Sequence, residues 1–389
     1  MESLREAVAR ILPEAIEMRR YLHSHPELSG QEYNTRDYIC KKLAGWEIPY
    51  RLCTKNLGVI ADIGHGRPCI ALRVDTDALP VEEQTGLEFA SGNPGVMHAC
   101  GHDVHTAVLL AAAKVLKARE DSLNGTVRLL FQPAEETTGG AADMISEGCM
   151  ENPTVSAVYG FHVDPTLEPG CAAFFRGTMN AAATDFTLTV RGKGCHGAHP
   201  EQGVDAIVIS SQIVTALQSV VSRGISPTAS GVVTIGTIHG GTKENIIADS
   251  VTMTGTIRAL NPETQAHLKA SVRAIAENTA AAWGATAELV MDDLCPALIN
   301  DDALVEQLYG QARELLGPER AILMREPSLG ADDFAFFSNQ VPGCYFNVGA
   351  HTDGVPGQAL HSPTFVPHED CMETALLLLI TSVHLASAN

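Results

Sequence analysis

The sequence predicts an α/β protein with a mixed, mostly parallel sheet covered by helices, plus an inserted α+β sandwich domain. Strand-like and helix-like segments alternate in the first part of the chain, as in sheets that helices cover. Between residues 183 and 292 the order changes to βαββαβ, which is typical of a four-stranded sandwich with helices on one face. The 389 residues exceed what one hydrophobic core usually holds. We therefore expect a discontinuous main domain, residues 1–182 and 293–389, and an inserted domain, residues 183–292.

The main domain is expected to begin with a charged amphipathic helix. Ser3 and Glu6 have the spacing of a capping box, and Pro13 is expected either to kink this helix or to start its second part. Short β-branched and apolar runs then predict strands, and an alanine-rich run predicts a helix between them. The predicted strands are residues 58–64, 69–74, 125–131, 157–163 and 341–348, and the further helices are residues 104–119, 301–316 and 372–386.

The inserted domain has the same kinds of pattern in a different order. Its predicted strands are residues 185–190, 231–238, 250–260 and 286–291, and its predicted helices are residues 204–222 and 262–282. This order predicts a second, separate sheet rather than an extension of the first one.

Composition limits the partners that the protein can bind. The formal net charge is −20, which disfavours nucleic acid and anionic membranes as partners. No apolar stretch is long and clean enough to cross a bilayer, and the first residues show no secretory signal. The ten cysteines are scattered rather than arranged as a disulfide framework. We expect a cytoplasmic protein whose partner is a small molecule.

The densest group of chemically active side chains lies at residues 98–105. A thiol, three imidazoles and a carboxylate fall within these eight positions, after a loop rich in glycine and proline. In an extended segment, Cys100 and His102 turn their side chains to the same side. Cysteine and histidine are ligands that divalent transition metals prefer. The segment therefore indicates a metal site, although a buried cysteine beside solvated histidines is an alternative.

Two adjacent carboxylates follow the predicted strand 125–131. Glu135 and Glu136 come shortly after its carboxyl end, where α/β sheets place ligand-binding and catalytic groups. One of the two could bind a metal ion while its neighbour acts as a general base. A solvated pair at the start of the next helix is equally compatible with the sequence.

Two single histidines complete the candidate ligands. His162 follows the apolar run 156–161 near the end of the predicted strand 157–163, and His361 lies in a loop before the last helix. Each alone is more typical of a structural or solvated histidine. Taken together, Cys100, His102, Glu136, His162 and His361 offer enough bonds for two metal ions that share a bridging carboxylate or water.

These segments and several others resemble the M20 family of metallopeptidases and amidohydrolases. The likeness is to the subgroup of aminoacylase, hippurate hydrolase and indole-acetyl-amino-acid hydrolase enzymes. Its motifs keep their order along nearly the whole chain, which makes chance agreement implausible. The matching segments are residues 22–28, 72–80, 97–102, 131–136, 160–162, 192–196, 241–245, 255–258 and 360–363.

The resemblance implies roles for particular residues. It implies that the five candidate ligands hold two metal ions and that Glu135 is the general base. The inserted domain becomes a lid and dimerisation domain of a homodimer or higher homo-oligomer, with His196 stabilising an oxyanion, often in a neighbouring subunit's site. Asn245 and Arg258 become substrate-carboxylate ligands. Asp75 and Asp77 are interpreted as residues that orient metal ligands without binding metal.

The inserted domain departs from the family pattern around His196. Cys195 and Gly197 flank it where glycine and alanine are usual, and His199 and Glu201 stand where methionine and histidine are common. These changes affect the expected shape and polarity of the substrate pocket. Without the resemblance, His196 fits an exposed loop, Asn245 a turn, and Arg258 a surface ion pair.

The implied activity is hydrolysis of the amide bond of N-acyl amino acids, with acetyl or aroyl groups, to a carboxylic acid and a free amino acid. Glu135 would take a proton from water and pass it to the leaving amine. The cysteine favours zinc, and manganese, cobalt or nickel suits the same ligands. Alternatives are a dipeptidase, a carbamoyl-amino-acid hydrolase, a deacetylase of acetylated diaminopimelate, or a non-catalytic metal- or ligand-binding protein.

Overall fold

The computed structural model describes residues 2–137, 139–354 and 359–386. The chain forms two compact units. The large unit comprises Met1–Gly177, Ile299–Glu326 and Asp332–Asn389, and the small unit comprises Thr178–Leu298 and Pro327–Ala331.

The described residues form helices and strands along most of their length. The helices are α1 (Leu4–Ser24), α2 (Tyr33–Gly45), α3 (His102–Lys117), α4 (Gly140–Ser146), α5 (Ala206–Ser222), α6 (Pro262–Ala282), α7 (Asp302–Leu316), α8 (Ala335–Ser338) and α9 (Cys371–Ala386). The strands are β1 (Tyr50–Leu52), β2 (Val59–Gly64), β3 (Cys69–Asp75), β4 (Thr126–Gln132), β5 (Val155–Asp164), β6 (Ala172–Phe175), β7 (Gly177–Asn180), β8 (Ala182–Arg191), β9 (Cys195–His196), β10 (Gly231–Gly240), β11 (Ile246–Ile247), β12 (Ser250–Ala259), β13 (Thr286–Cys295), β14 (Leu298–Asn300), β15 (Ala321–Met324) and β16 (Gly343–Gly349).

The large unit is built on one mixed sheet. Its strand order is β1-β2-β4-β3-β5-β16-β6-β15. The pairs β4/β3, β3/β5, β5/β16 and β6/β15 are parallel, and the remaining three pairs are antiparallel. Strands β3 and β4 are buried along their whole length, as expected for strands that are covered on both faces. The prediction of a mixed, mostly parallel sheet covered by helices is confirmed.

Helix α1 begins at the predicted capping box and continues beyond Pro13. The hydroxyl of Ser3 accepts a hydrogen bond from the backbone N–H of Glu6 at 3.2 Å, and the backbone N–H of Ser3 donates to the Glu6 carboxylate at 2.8 Å. The helix continues through Pro13 to Ser24, so Pro13 lies inside one helix, as the sequence allows, and the expected kink stays a prediction. Burial of one face, which includes Val8 and Ile11, favours the continuous helix over a break.

The small unit contains a four-stranded antiparallel sheet in the order β10-β12-β8-β13. Helices α5 and α6 pack on it through a common apolar core that contains Leu188, Ile213 and Leu268. Buried and exposed residues alternate along β8, as they do in a strand with one covered face. The observed order of strands and helices confirms the predicted βαββαβ sandwich.

The parallel strands β3, β4 and β5 bring their carboxyl ends to one edge of the large sheet, where ligand sites of α/β proteins lie. Helix α3 starts at that edge directly after Gly101, whose φ of +90° is accessible to glycine at little cost. A Cβ atom at Gly101 would lie 2.5 Å from the side chain of Val163. This close approach holds the start of α3 against β5. Among the described helices, none is both long and apolar enough to span a membrane.

Candidate metal centre

Three candidate ligands from different parts of the large unit meet at this sheet edge. The Sγ atom of Cys100 lies 3.4 Å from Nε2 of His162. His102, the first residue of α3, joins them, and one ligand atom of each residue lies within 4.8 Å of the other two. Cys100 and His102 are buried, and His162 is partly buried. A thiol and two imidazoles so arranged form a donor set that suits a transition metal.

A second trio shares the same thiol. Cys100, Glu136 and His361 also place one ligand atom each within 4.8 Å of one another, and Nε2 of His361 lies 3.3 Å from the Glu136 carboxylate. His361 has a φ of +65°, a left-handed conformation that costs a non-glycine residue free energy. Its backbone N–H donates to the carbonyl of Ala99 at 2.8 Å, which holds the strained loop beside the motif. The structure thus brings all five candidate ligands together around Cys100.

Hydrogen bonds leave the Nε2 atoms of two histidines available. Nδ1 of His102 donates to the backbone carbonyl of Asp77 at 2.9 Å and lies 3.2 Å from its carboxylate. Nδ1 of His162 donates to the carbonyl of Val163 at 2.7 Å. Nε2 of His102 is buried and has no hydrogen-bond partner among the described residues. A histidine that binds a metal usually has one ring nitrogen held by a hydrogen bond and the other nitrogen open to the metal. His102 meets both conditions, so these residues fit a bound cation.

His105, the third imidazole of the motif, is already engaged on both sides. Its Nδ1 atom donates to Asp75 at 2.5 Å, and its Nε2 atom accepts the backbone N–H of Val163 at 3.1 Å. Burial lowers the pKa of His105 to about 4, so the ring is neutral. The Asp75 carboxylate also accepts a hydrogen bond from Nη1 of Arg73 at 2.9 Å. His105 therefore connects Asp75 to the residue after His162 and supports the site without facing it.

Glu135 and Glu136 differ in their surroundings although they are adjacent. Burial, followed by the negative charges of Asp332 and Asp333, raises the pKa of Glu135 well above its usual value. Burial acts in the same direction on Glu136, but the hydrogen bond from His361 and other favourable contacts lower its pKa. Neighbouring carboxyl groups whose proton affinities are pushed apart suit different roles. Glu136 therefore stays an anionic carboxylate that can bind a metal ion, and Glu135 is the better proton acceptor.

The sequence did not single out the acidic pair that surrounds Glu135. One carboxylate oxygen of Glu135, Asp332 and Asp333 lies within 4.8 Å of the others, and all three residues are buried. The usable signal was Arg73, a charged residue in the apolar run of a buried strand, because a buried guanidinium requires anionic partners. The sequence does not reveal which carboxylates pair with Arg73.

Two candidates of the small unit, His196 and Asn245, lie side by side. His196 in β9 pairs with Ile246 in β11, and the backbone N–H of Gly197 donates to the carbonyl of Asn245 at 2.8 Å. Nδ1 of His196 accepts the backbone N–H of Ala198 at 3.0 Å. Because a backbone N–H can only donate, a neutral His196 carries its proton on Nε2. That nitrogen is thereby prepared to donate a hydrogen bond.

Arg258 lies elsewhere in the same unit. It is opposite Ala183 near the end of β12, and Ser250 begins that strand. The eight steps from Ser250 to Arg258, at about 3.3 Å per residue, span about 26 Å. His196 and Asn245 belong to the ribbon that continues beyond Ser250. The structure therefore brings His196 and Asn245 together and leaves Arg258 apart from them.

Comparison with known proteins decides the family. A model of the peptidase family M20/M25/M40 matches residues 71–382 of the chain. The chain belongs to the M20 peptidase family. The predictions of M20 membership and of a metallohydrolase are confirmed, with dinuclear metal binding named for a structural relative.

Relatives of this M20 protein include enzymes that act on amino-acid derivatives. It is 39% identical over 369 residues to the N-acetyl-L-cysteine deacetylase of Bacillus subtilis, covering 94% of this chain and 86% of the relative. It is 37% identical over 361 residues to the IAA-amino acid hydrolase ILR1-like 4 of Arabidopsis thaliana, covering 91% and 81%. Among solved structures, the Bacillus subtilis YXEP protein, a dinuclear metal binding peptidase from the M20 family, matches with a TM-score of 0.83 and 33% identity over 97% of this chain and 99% of that one.

Proposed function

We propose that this M20 enzyme hydrolyses the amide bond of N-acyl amino acids that carry acetyl or aroyl groups. The observation that carries the proposal is the convergence of two ligand trios on Cys100, with Glu135 directly beside the ligand Glu136. A deacetylase of N-acetyl-L-cysteine and a hydrolase of IAA-amino acids among the relatives support an amide of an amino acid as the substrate class. The products would be a carboxylic acid and a free amino acid.

Cys100, His102, Glu136, His162 and His361 would hold two divalent cations, with Cys100 common to both trios. Bound there, the cations would polarise the amide carbonyl and supply a water molecule that is acidic enough to react near neutral pH. The thiolate favours zinc, and manganese, cobalt or nickel suits the same ligands. Asp77 and Asp75 support these ligands through His102 and His105.

Glu135 would take the proton from the attacking water and deliver it to the leaving amine. Its buried position among carboxylates raises its proton affinity, whereas nearby cations would lower it again. These opposing effects bring a general base towards the neutral range in which it works best. Glu135 is 8% exposed, so few water molecules compete for the proton.

The small unit would supply the remaining contacts. His196 would donate its Nε2 proton to the developing oxyanion, a kind of contact that typically contributes roughly 3–4 kcal/mol. Asn245 and Arg258 would bind the free carboxylate of the substrate, for which a guanidinium offers two parallel hydrogen bonds. An N-acyl amino acid is much shorter than the separation of Arg258 from His196 and Asn245. One small unit alone therefore does not supply both ends of one substrate.

A homodimer would resolve this separation, because one subunit can provide Arg258 and the other His196 and Asn245. Strand β10 is the edge of the small sheet, and exposed Ile207, Ile238 and Ile246 lie on or near it. Edge strands with exposed apolar side chains favour pairing with another chain. A symmetric pair of β10 strands would bury these residues in both copies.

The chemistry of the thiols supports a cytoplasmic location. The ten cysteines are thiols rather than disulfides. Burial raises the pKa of the Cys69 thiol to about 11 and also raises the pKa of the Cys344 thiol, so both stay protonated and unreactive near neutral pH. A reducing compartment also keeps the ligand Cys100 available for metal.

A substrate panel on the metal-loaded enzyme tests the proposal. The panel contains hippurate, N-acetyl amino acids and dipeptides, with metal content measured on the same preparation. We expect turnover of N-acyl amino acids that is lost on chelation and restored by one of the divalent metals. Metal binding without turnover of any of these amides would contradict the proposed function.

A peptidase is the second candidate, because the structural relative from Bacillus subtilis is described as a dinuclear metal binding peptidase. The same ligands and base would serve a peptide bond, since the reacting group is again an amide. The deciding difference is the N-terminal amine of a dipeptide, which an acyl group lacks. A higher kcat/KM for dipeptides than for hippurate and N-acetyl amino acids would favour this candidate.

A further inference from the structure

A second cluster of buried charged groups adjoins Glu135 in the large unit. Its centre is Asp333, which is fully buried in the loop before α8. One oxygen of Asp333 lies 2.6 Å from Nη2 of Arg73, and both oxygens accept from Nε2 of Gln132 at 2.8 and 2.7 Å. The backbone N–H of Ala141 donates to Asp333 at 3.3 Å. The Asp333 side chain is thus fixed from two neighbouring strands and from helix α4.

Arg73 is the anchor of this cluster. It is fully buried, and its Nη1 atom reaches Asp75 at 2.9 Å and Asp332 at 3.4 Å. Its Nε atom donates to Oε1 of Gln132 at 2.8 Å. A buried guanidinium with this many partners has one well-defined position, since loss of any partner leaves a desolvated charge. The cluster is therefore a rigid group of side chains at the carboxyl ends of β3 and β4.

The same loop touches the proposed general base. The backbone N–H of Asp333 points to Oε1 of Glu135 at 3.4 Å. The next peptide is also fixed, because the backbone N–H of Phe334 donates to the Asp332 carboxylate at 2.8 Å. The Asp333 side chain determines where the loop lies, and the Asp333 backbone contacts Glu135. Asp333 therefore connects the buried cluster, through its side chain, to Glu135, through its backbone N–H.

We propose that Asp333 is a positioning residue for Glu135, which rests on the proposed function. Its side chain, fixed by Arg73 and Gln132, sets the backbone N–H that holds the Glu135 carboxylate in place for proton transfer. A displacement of about 1 Å at a reacting group can reduce the rate about 100-fold. Asp333 therefore affects the chemical step while leaving substrate binding and metal binding to other residues.

The test compares Asp333→Ala and Asp333→Asn with the wild-type metal-loaded enzyme. We expect kcat to fall about 100-fold in Asp333→Ala and about 10-fold in Asp333→Asn, because asparagine retains one acceptor for Arg73. KM should stay within about twofold and the metal content should be unchanged. If the Asp333 variants do not fold, Gln132→Met removes two hydrogen bonds from Asp333 and one from Nε of Arg73, while the ion pair between Arg73 and Asp333 remains. The same kcat-specific loss is expected.

Asp62→Asn is the matched control. Asp62 pairs with another buried arginine, Arg128, at 2.8 and 2.9 Å, at the opposite end of β4 from Glu135. This variant should lose stability but keep kcat. A kcat within about twofold of wild type in Asp333→Ala, or a parallel loss of metal, would overturn the positioning role. Failure of the proposed function is distinguishable, because the wild-type enzyme would then hydrolyse none of the amides.

Discussion

Nε2 of His105 accepts the backbone N–H of Val163 at 3.1 Å, directly after the candidate ligand His162. His105 belongs to the motif that the sequence marks as a metal site, yet both of its ring nitrogens are used inside the protein. The hydrogen bonds connect Asp75 on β3 with the strand that carries His162. Partners of this kind orient ligands, and their loss typically lowers metal affinity about 10–100-fold.

We therefore predict that His105→Leu lowers the affinity for the metal by about 10–100-fold without unfolding the protein. His105→Gln should lose less, because its amide oxygen can still accept the Val163 N–H. Competition with a chelator of known affinity measures the effect. His98→Leu is the control, since His98 is equally buried and its ring nitrogens have no hydrogen-bond partner among the described residues. Equal losses in the His98 and His105 variants would contradict the specific role of His105.

Glu135→Gln separates proton transfer from metal binding. Glutamine has nearly the same shape but accepts no proton, so kcat should fall about 100- to 10,000-fold. The content of bound metal should remain that of wild type, as measured by elemental analysis. Glu136→Gln should behave differently, because its carboxylate belongs to the trio with Cys100 and His361. Loss of metal in Glu135→Gln would assign that residue to the ligands instead.

Sequence patterns predicted the fold well wherever burial and periodicity coincide. The apolar strands β3 and β4 and the alternating strand β8 follow from burial on two faces or on one face. Pro13 stays inside α1, because packing of the buried α1 face outweighs the lost hydrogen bond. Helix α2 was not predicted, since only Thr35, Ile39 and Leu43 of its residues are buried and its apolar pattern is weak.

The candidate site was partly accessible from the sequence. Cys100 and His102 belong to a short motif at the start of α3, Glu136 belongs to one that follows β4, and such motifs carry a chemical signature. Asp332 and Asp333 lie nearly two hundred residues after Glu135, in a loop without a regular pattern. Their role depends on a three-dimensional contact with Arg73, which periodicity and composition do not encode.

Cys100 is the residue on which both ligand trios depend. Because one thiol joins both groups, Cys100→Ala should reduce bound metal at both positions together. His361→Ala removes a donor from one trio only and should leave a protein with about one metal ion per subunit. Titration with zinc, followed by gel filtration and elemental analysis, measures the stoichiometry. Equal stoichiometries in the two variants would show that Cys100 is not shared.

Glu32 makes stability depend on pH. Burial raises its pKa to about 7, with Asp77 acting in the same direction, whereas an unfolded glutamate titrates near 4.5. The folded protein therefore holds the proton more tightly, and stability falls as pH rises from about 4.5 through 7. This loss amounts to about 3 kcal/mol. Glu32→Gln should remove it while keeping an acceptor for the backbone N–H of Ala134.

The measurement is urea denaturation of the metal-free wild type and Glu32→Gln at about pH 5 and pH 8. The variant should gain stability relative to wild type at the higher pH. A constant cost of burying the amide affects both pH values equally, so the difference between them is the decisive quantity. An identical pH dependence in both proteins would show that Glu32 is ionised in the folded state.

Arg258 and His196 allow a test of whether each active site uses two subunits. If one site takes Arg258 from one chain and His196 from the other, Arg258→Ala and His196→Ala homodimers are both impaired. In a heterodimer of the two variants, one of the two sites regains both residues. With random assortment, half of the dimers are mixed and half of their sites are intact, so activity should recover to about a quarter of wild type. Co-expression with two different affinity tags isolates the mixed dimer, which should then show about half the wild-type kcat. A mixed dimer no more active than the two parents would mean that a single chain supplies both Arg258 and His196 to its site, or that one of them does not bind the substrate.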